Sequence, residues 1–238
     1  MAGRALVTGA TGFIGGRLAA SLAQEGWEVR CMVRDRAGLP ARELERRGFT
    51  LHEGDVLRSE SLPGAGRGVD VACYLIHSMG RGADRDFAAS EGAAASSFAQ
   101  MARAEGVEKV VYLGGLGDRP ESKHLRSRHQ TALALARHGP PVTYFRAGMV
   151  VGAQSESYRT LRYLVQRLPA MIAPAWLKNA TQPIAIDDAL PRAGPFDRGS
   201  DRRGDTDRRS GRPCLRRDAG PHGRGAGAAS PPAGTSPR

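Results

Sequence analysis

Lysine is nearly absent from this chain. Of its 35 basic residues all but Lys109, Lys123 and Lys178 are arginine, and against 24 acidic residues they give a formal net charge of +11. Such an excess generally points to a polyanionic partner. Here it is unevenly placed: residues 189–238 hold eleven arginines against five aspartates, a net +6, which leaves +5 for residues 1–188. Aromatic residues are also scarce, at 5%. The basic C-terminal stretch contains only Phe196 and no lysine, so it lacks the stacking platforms of a single-strand nucleic-acid binder. Cysteine is limited to Cys31, Cys73 and Cys214. Their spacing suits neither a metal site nor a disulfide framework, so no metal is expected and a reduced, cytoplasmic setting is. No apolar run is long enough to span a bilayer. The first twenty residues are broken by glycines and lack the apolar core of a signal peptide.

What is present is an alternation of short apolar runs and helical patterns. Apolar runs at Arg4–Thr8, Glu28–Val33, Thr50–Glu53, Val69–Ile76, Val107–Leu113 and Val142–Arg146 predict six strands. Helices are predicted from the glycine loop to about Gln24, over Arg42–Arg47, Arg85–Ala104 and Arg128–Arg137. In the third of these Phe87, Ala94, Phe98 and Met101 share one face. Strand–helix–strand repetition with near-continuous apolar strands implies a doubly wound, parallel, Rossmann-like sheet covered on both faces. The predicted organisation is a dinucleotide-binding domain over residues 1–150 and the start of a small substrate-side lobe over 151–188. In that lobe Leu161, Leu164, Val165 and Leu168 form an apolar helical stripe.

From Ala189 onward arginine, glycine, proline and aspartate dominate. Such a composition buries too little apolar surface to fold, so a truncated lobe and a disordered tail over 189–238 are expected. Two origins of that tail stand side by side. Read one nucleotide later, the codons of Asp207–Asp218 permit Ile-Gly-Gly-Pro-Asp-Val-Leu-Ala-Tyr-x-Glu-Met, an ordinary folded-protein string. The alternative is a basic tail for an acidic partner. A reread of the gene across codons 186–220 separates them.

The chemistry begins at Thr8-Gly9-Ala10-Thr11-Gly12-Phe13-Ile14-Gly15, between a predicted strand and a predicted helix. Gly9 suits the tight turn, Gly12 lets a pyrophosphate approach the backbone, and Gly15 lets helix and strand pack closely. The free N–H groups at the helix start complete an anion site, so a dinucleotide is the expected ligand. At the end of the second strand stand Arg34-Asp35-Arg36. An arginine there pairs with the 2′-phosphate of NADP and an acid with the ribose of NAD. Arg34 leaves the strand first, which favours NADP(H), with NAD(H) the alternative. Asp55 and Val56 are placed to meet the adenine edge or to form a turn with an Asx bond. His77 follows the fourth strand at the ligand edge.

These segments, with His77-Ser78-Met79-Gly80, Tyr112-Leu113-Gly114-Gly115-Leu116 and Thr181-Gln182-Pro183-Ile184, resemble the atypical short-chain dehydrogenase/reductases, and within them the NmrA-like and epimerase-like branch. The resemblance covers residues 1–188 and implies NAD(P)-dependent oxidoreductase or epimerase-like chemistry on a small molecule. It also implies a serine after the fifth strand and a Tyr-x-x-x-Lys pair on the next helix. Here Gly114 or Gly115 stands at the serine position, and His124 and Arg128 fill the tyrosine and lysine slots. An imidazole beside cationic Arg128 is held toward its neutral form and is a poor acid. The departures leave three readings open: an altered oxidoreductase, a regulator that senses NADP(H) without turnover, and, ranked last, a nucleic-acid binder acting through the tail.

Overall fold

A computed structural model describes residues 2–76, 85–116, 123–167, 182–193 and 216–219. Its central sheet is built from β1 (Arg4–Thr8), β2 (Glu28–Val33), β3 (Thr50–Glu53), β4 (Val71–Tyr74), β5 (Lys109–Gly115), β6 (Val142–Ala147) and a short edge strand, Arg216–Ala219. The first six run parallel in the order β3-β2-β1-β4-β5-β6. The order reverses between β1 and β4, and ligands of open α/β sheets bind in the crevice at that switch point.

Both faces of the sheet are covered, which is why a central strand such as β4 reads as an unbroken apolar run. On one face α1 (Phe13–Gln24) and α2 (Leu39–Arg46) bury Leu18, Leu22, Ala41 and Leu44 against Ala5, Val7, Val29 and Cys31. On the other, α3 (Arg85–Ala104) and α4 (Lys123–His138) bury Ala94, Phe98 and Leu135 against Leu6, Ala72 and Tyr112. Phe98 is fully buried, and its ring lies 5.0 Å from that of Tyr74. Alternate residues of β1 feed opposite cores, as the two-residue period of a strand requires. The side chain of Phe87 lies outside the described residues.

Several predicted bounds shift. Helix α2 starts at Leu39 because Pro40 occupies its first turn, where a missing N–H costs nothing. Helix α4 starts at Lys123, so residues 124 and 128 lie on one helix, a turn apart. Strand β5 continues through Gly114 and Gly115, which pair with Arg146 and Ala147 of β6.

After β6 come β7 (Val150–Val151), α5 (Glu156–Arg167), β8 (Ile184–Ala185) and α6 (Ile186–Ala193). Strands β7 and β8 pair in parallel as a separate small sheet. On α5, Leu161, Leu164 and Val165 are exposed, whereas Leu168 and Thr181 lie outside the described residues.

Two parts of the stretch 189–238 are among the described residues. Helix α6 continues to Ala193, and Ala189 and Leu190 are buried in the core against which α1 packs. Strand β9 (Arg216–Ala219) runs antiparallel to β6, pairing Thr143 with Ala219 and Arg146 with Arg216. An edge strand is held through backbone hydrogen bonds and needs no apolar composition, so side-chain arithmetic does not reveal it. The remainder of that stretch lies outside the described residues.

The join of β1 to α1 leaves no room for a side chain. A Cβ at Gly15 would collide with the Gly9 carbonyl and stand 3.0 Å from Ala10 Cα. Gly15→Ala is therefore expected to cost at least about 1–3 kcal/mol. Urea denaturation measures this, and an unchanged midpoint would contradict the tight join.

Candidate functional site

The glycine loop grows directly out of β1. Thr8 is fully buried, and its hydroxyl donates to the Cys73 carbonyl at 3.1 Å and accepts from the Leu75 N–H at 3.0 Å. Its side chain thus bolts the root of the loop to β4. Gly9 turns at φ +66°, a conformation in which a side chain is strained. The Gly12 N–H donates back to the Gly9 carbonyl at 2.9 Å, closing the turn.

Gly12 then caps α1 in extended geometry without any side-chain hydrogen bond to the helix start. A Cβ there would meet only the Gly9 carbonyl, at 3.2 Å, and would otherwise project into the open space of the loop. Thr11 and Gly12 are exposed. An uncapped helix start beneath an open, side-chain-free surface is what a pyrophosphate requires. The cradle fits the group. Phe13 lies under the Arg17 guanidinium at 5.3 Å, and Phe13 and Ile14 pack partly against the core. Their side chains anchor the helix start while their backbone belongs to its first turn. A groove of about 400 Å³ runs from Thr11 and Gly12 between α1 and α2, past Arg17, Pro40 and Arg47.

At the end of β2 the three charged residues have separate fates. Asp35 accepts from the Ala37 N–H at 2.9 Å, and Arg36 pairs with Glu45 at 2.7 Å. Arg34 is exposed and makes no ion pair among the described residues. After β3 the Asx alternative is realised: the Leu57 N–H donates to Asp55 Oδ1 at 3.0 Å. Val56 is buried with Leu62, Tyr74 and Ala94, a floor beneath the loop rather than an exposed contact.

The end of β5 holds two close approaches. A Cβ at Gly115 would stand 2.5 Å from Leu125 and 3.6 Å from Arg128 Cδ, both on α4. A Cβ at Gly114 would stand 2.5 Å from the Tyr144 ring. Space for a serine side chain at either position is therefore already taken. Arg128 Nε is buried without a hydrogen-bond partner among the described residues. The Tyr112 hydroxyl donates to the Arg128 carbonyl at 3.2 Å. Burial, followed by the neighbouring Tyr144 phenol, pushes Tyr112 above the ordinary tyrosine range, with Arg128 pulling the other way. Ser127 donates to the Glu91 carboxylate and so ties α4 to α3.

Arg128 thus lies beside Gly115, at the carboxyl end of β5. His124 opens the same helix but its side chain, like all of His77, lies outside the described residues. Tyr144 and the nine-tenths-buried Arg146 escaped the sequence reading. Their signal was the Gly114-Gly115 pair, since glycine inside a strand marks a close approach. Among the described residues no His, Cys, Asp or Glu cluster could hold a metal ion. No helix among them is long and apolar enough to cross a membrane.

The profile of a family described as NAD(P)H-binding matches residues 9–153. No curated protein matches the chain. Solved structures share its fold. UDP-glucose 4-epimerase from Thermotoga maritima is 17% identical with a TM-score of 0.64, over 79% of this chain and 71% of that one. Pen from Bacillus thuringiensis is 15% identical with a TM-score of 0.65, over 80% and 63%. Triphenylmethane reductase from Citrobacter sp., solved with NADP(H), is 22% identical with a TM-score of 0.55, over 69% and 55%. The chain therefore spans less than two thirds of the length of Pen and of the reductase.

Gly12→Val is expected to leave the fold intact, because φ at Gly12 is an ordinary −88°. It should abolish binding of NADPH and NADH alike by filling the pyrophosphate's space. Fluorescence titration beside a thermal melt checks both halves, and retained binding would contradict the placement. A second expectation concerns the thiols. Burial pushes Cys31 and Cys73 from 9.0 up to about 12. The unfolded chain then loses these protons first as pH rises, so stability should fall progressively from about pH 9 toward about pH 12. Urea midpoints across that range should show a shallower decline in Cys73→Ala.

Proposed function

We propose that this chain, which belongs to the NAD(P)H-binding family, binds NADP(H) in preference to NAD(H) and serves as an oxidoreductase on a small oxygen-bearing molecule. One observation carries the cofactor preference. Of the three charges after β2, Asp35 is committed to a turn and Arg36 to Glu45, while Arg34 stands exposed without an ion pair among the described residues. A carboxylate already accepting a backbone hydrogen bond is a weaker holder of the ribose hydroxyls that NAD presents. A guanidinium without a competing partner matches the planar, bidentate geometry of a phosphate.

The remaining contacts follow from the site. The N–H groups at the start of α1 hold the pyrophosphate, aided by the helix dipole. Asp55 borders the adenine side, with Val56 buried beneath it. Arg128, whose buried Nε has no hydrogen-bond partner among the described residues, offers a donor to the hydroxyls of the nicotinamide ribose. When bound, the reduced dinucleotide supplies a hydride. The residues of this chain orient it and keep water from the buried ends of β4 and β5. The NADP(H) complex of the similarly folded Citrobacter reductase supports the reading by analogy.

The glycines at the serine position favour a second reading, a sensor of the NADP(H) state without turnover. Oxidation of NADPH, followed by absorbance over a panel of carbonyls and quinones, separates the two. Arg34→Ala is expected to weaken NADPH by about 1.5–3 kcal/mol, roughly ten- to more than a hundredfold, while leaving NADH unchanged. An equal loss for both nucleotides would show that Arg34 does not read the phosphate.

A further inference from the structure

We propose that the phenol of Tyr144 supplies the hydroxyl that the end of β5 lacks, donating a hydrogen bond to the oxygen of a bound substrate. This rests on the oxidoreductase reading above. The geometry begins at Gly114. A Cβ built there lies 2.5 Å from Tyr144 Cε2, 2.7 Å from its hydroxyl oxygen and 3.0 Å from Cζ. The phenol therefore occupies the room that a residue-114 side chain would use. Its oxygen sits within bonding reach of where a serine's would be.

The direction of the ring follows from register. Tyr144 pairs with Tyr112, and Gly114 is two residues further toward the carboxyl end of β5. A ring that reaches Gly114 must lean along the strands toward the edge where ligands of such sheets bind. Tyr112 fixes it there by stacking, with ring centroids 5.2 Å apart and planes at 24°.

The other hydroxyls of this aromatic row are less suited. Tyr112 is fully buried and donates to the Arg128 carbonyl. Tyr74 is 3% exposed, and burial, then the Glu91 carboxylate, push its phenol upward. Tyr144 alone of the three is only half-buried. Two guanidiniums share this end of the sheet: Arg146, the register partner of Gly114, and Arg128, beside Gly115.

The test uses the full chain with NADPH and isobutyramide, a neutral amide whose carbonyl oxygen accepts a hydrogen bond. Tyr144→Phe should keep NADPH affinity within about twofold and weaken isobutyramide binding to the NADPH complex about three- to tenfold. Tyr144→Ala with Gly114→Ser returns a hydroxyl to the vacated space and should recover most of that loss relative to Tyr144→Ala. An independent readout uses tyrosine labelled with ¹³C at Cζ. The resonance lost in Tyr144→Phe should move when isobutyramide is added to the wild-type NADPH complex. Normal NADPH affinity with isobutyramide binding absent in wild type, or unchanged in Tyr144→Phe, would overturn the assignment alone. A wild-type protein that takes no NADPH would instead overturn the cofactor reading, and this inference with it.

Discussion

The ligand edge is organised by how closely the first turn of α1 approaches the backbone that ends β1. The Gly9 carbonyl accepts the Gly12 N–H and lies where a Cβ of residue 15 would have to stand. That approach sets the angle at which the helix leaves the sheet, and with it the direction of its uncapped N–H groups. The Thr8 hydroxyl extends the constraint sideways by joining β1 to the Cys73 carbonyl and the Leu75 N–H of the neighbouring strand. The switch point between β1 and β4 is thereby stitched from within. Because the hydroxyl is satisfied on both sides, its burial carries no desolvation penalty left unmet.

A second close approach governs the far side of the crevice. At Gly114 and Gly115 the absence of side chains lets the Tyr144 ring and helix α4 press onto the end of β5. Glycine weakens a strand by its conformational freedom. Here that cost is offset by the contacts it permits: the stacked Tyr112–Tyr144 pair and the packing of Leu125 over Gly115. The two halves of the site thus use the same device, glycines that let a neighbouring element come closer than a Cβ would allow. On the α1 side it leaves the backbone donors of the helix start uncovered. On the α4 side it brings a phenol and a guanidinium to the carboxyl end of the sheet.

Three strands were legible at both ends: Arg4–Thr8, Glu28–Val33 and Thr50–Glu53 form where their composition places them. The longer apolar runs were less sharp, since β4 keeps only Val71–Tyr74 of Val69–Ile76 and β5 runs on through Gly114 and Gly115, which carry no strand signal of their own. Helix starts were less legible, because the turn at Lys123 carries no apolar period to mark it. Strands β7, β8 and β9 were invisible for a related reason: each is two to four residues long, too short to carry a period of its own.

The sequence by itself determined the doubly wound sheet and the glycine loop with its dinucleotide. These rest on local facts: apolar runs and glycine spacing. Only the tertiary structure decided which of Arg34, Asp35 and Arg36 keeps its charge available, because that depends on Glu45 nine positions beyond Arg36 and on a turn at Ala37. It alone showed that a tyrosine on β6 fills the space beside Gly114 on β5, a neighbour thirty residues away. Partners distant along the chain leave no periodic trace, since the contact is made by the register of two strands and not by spacing within either one.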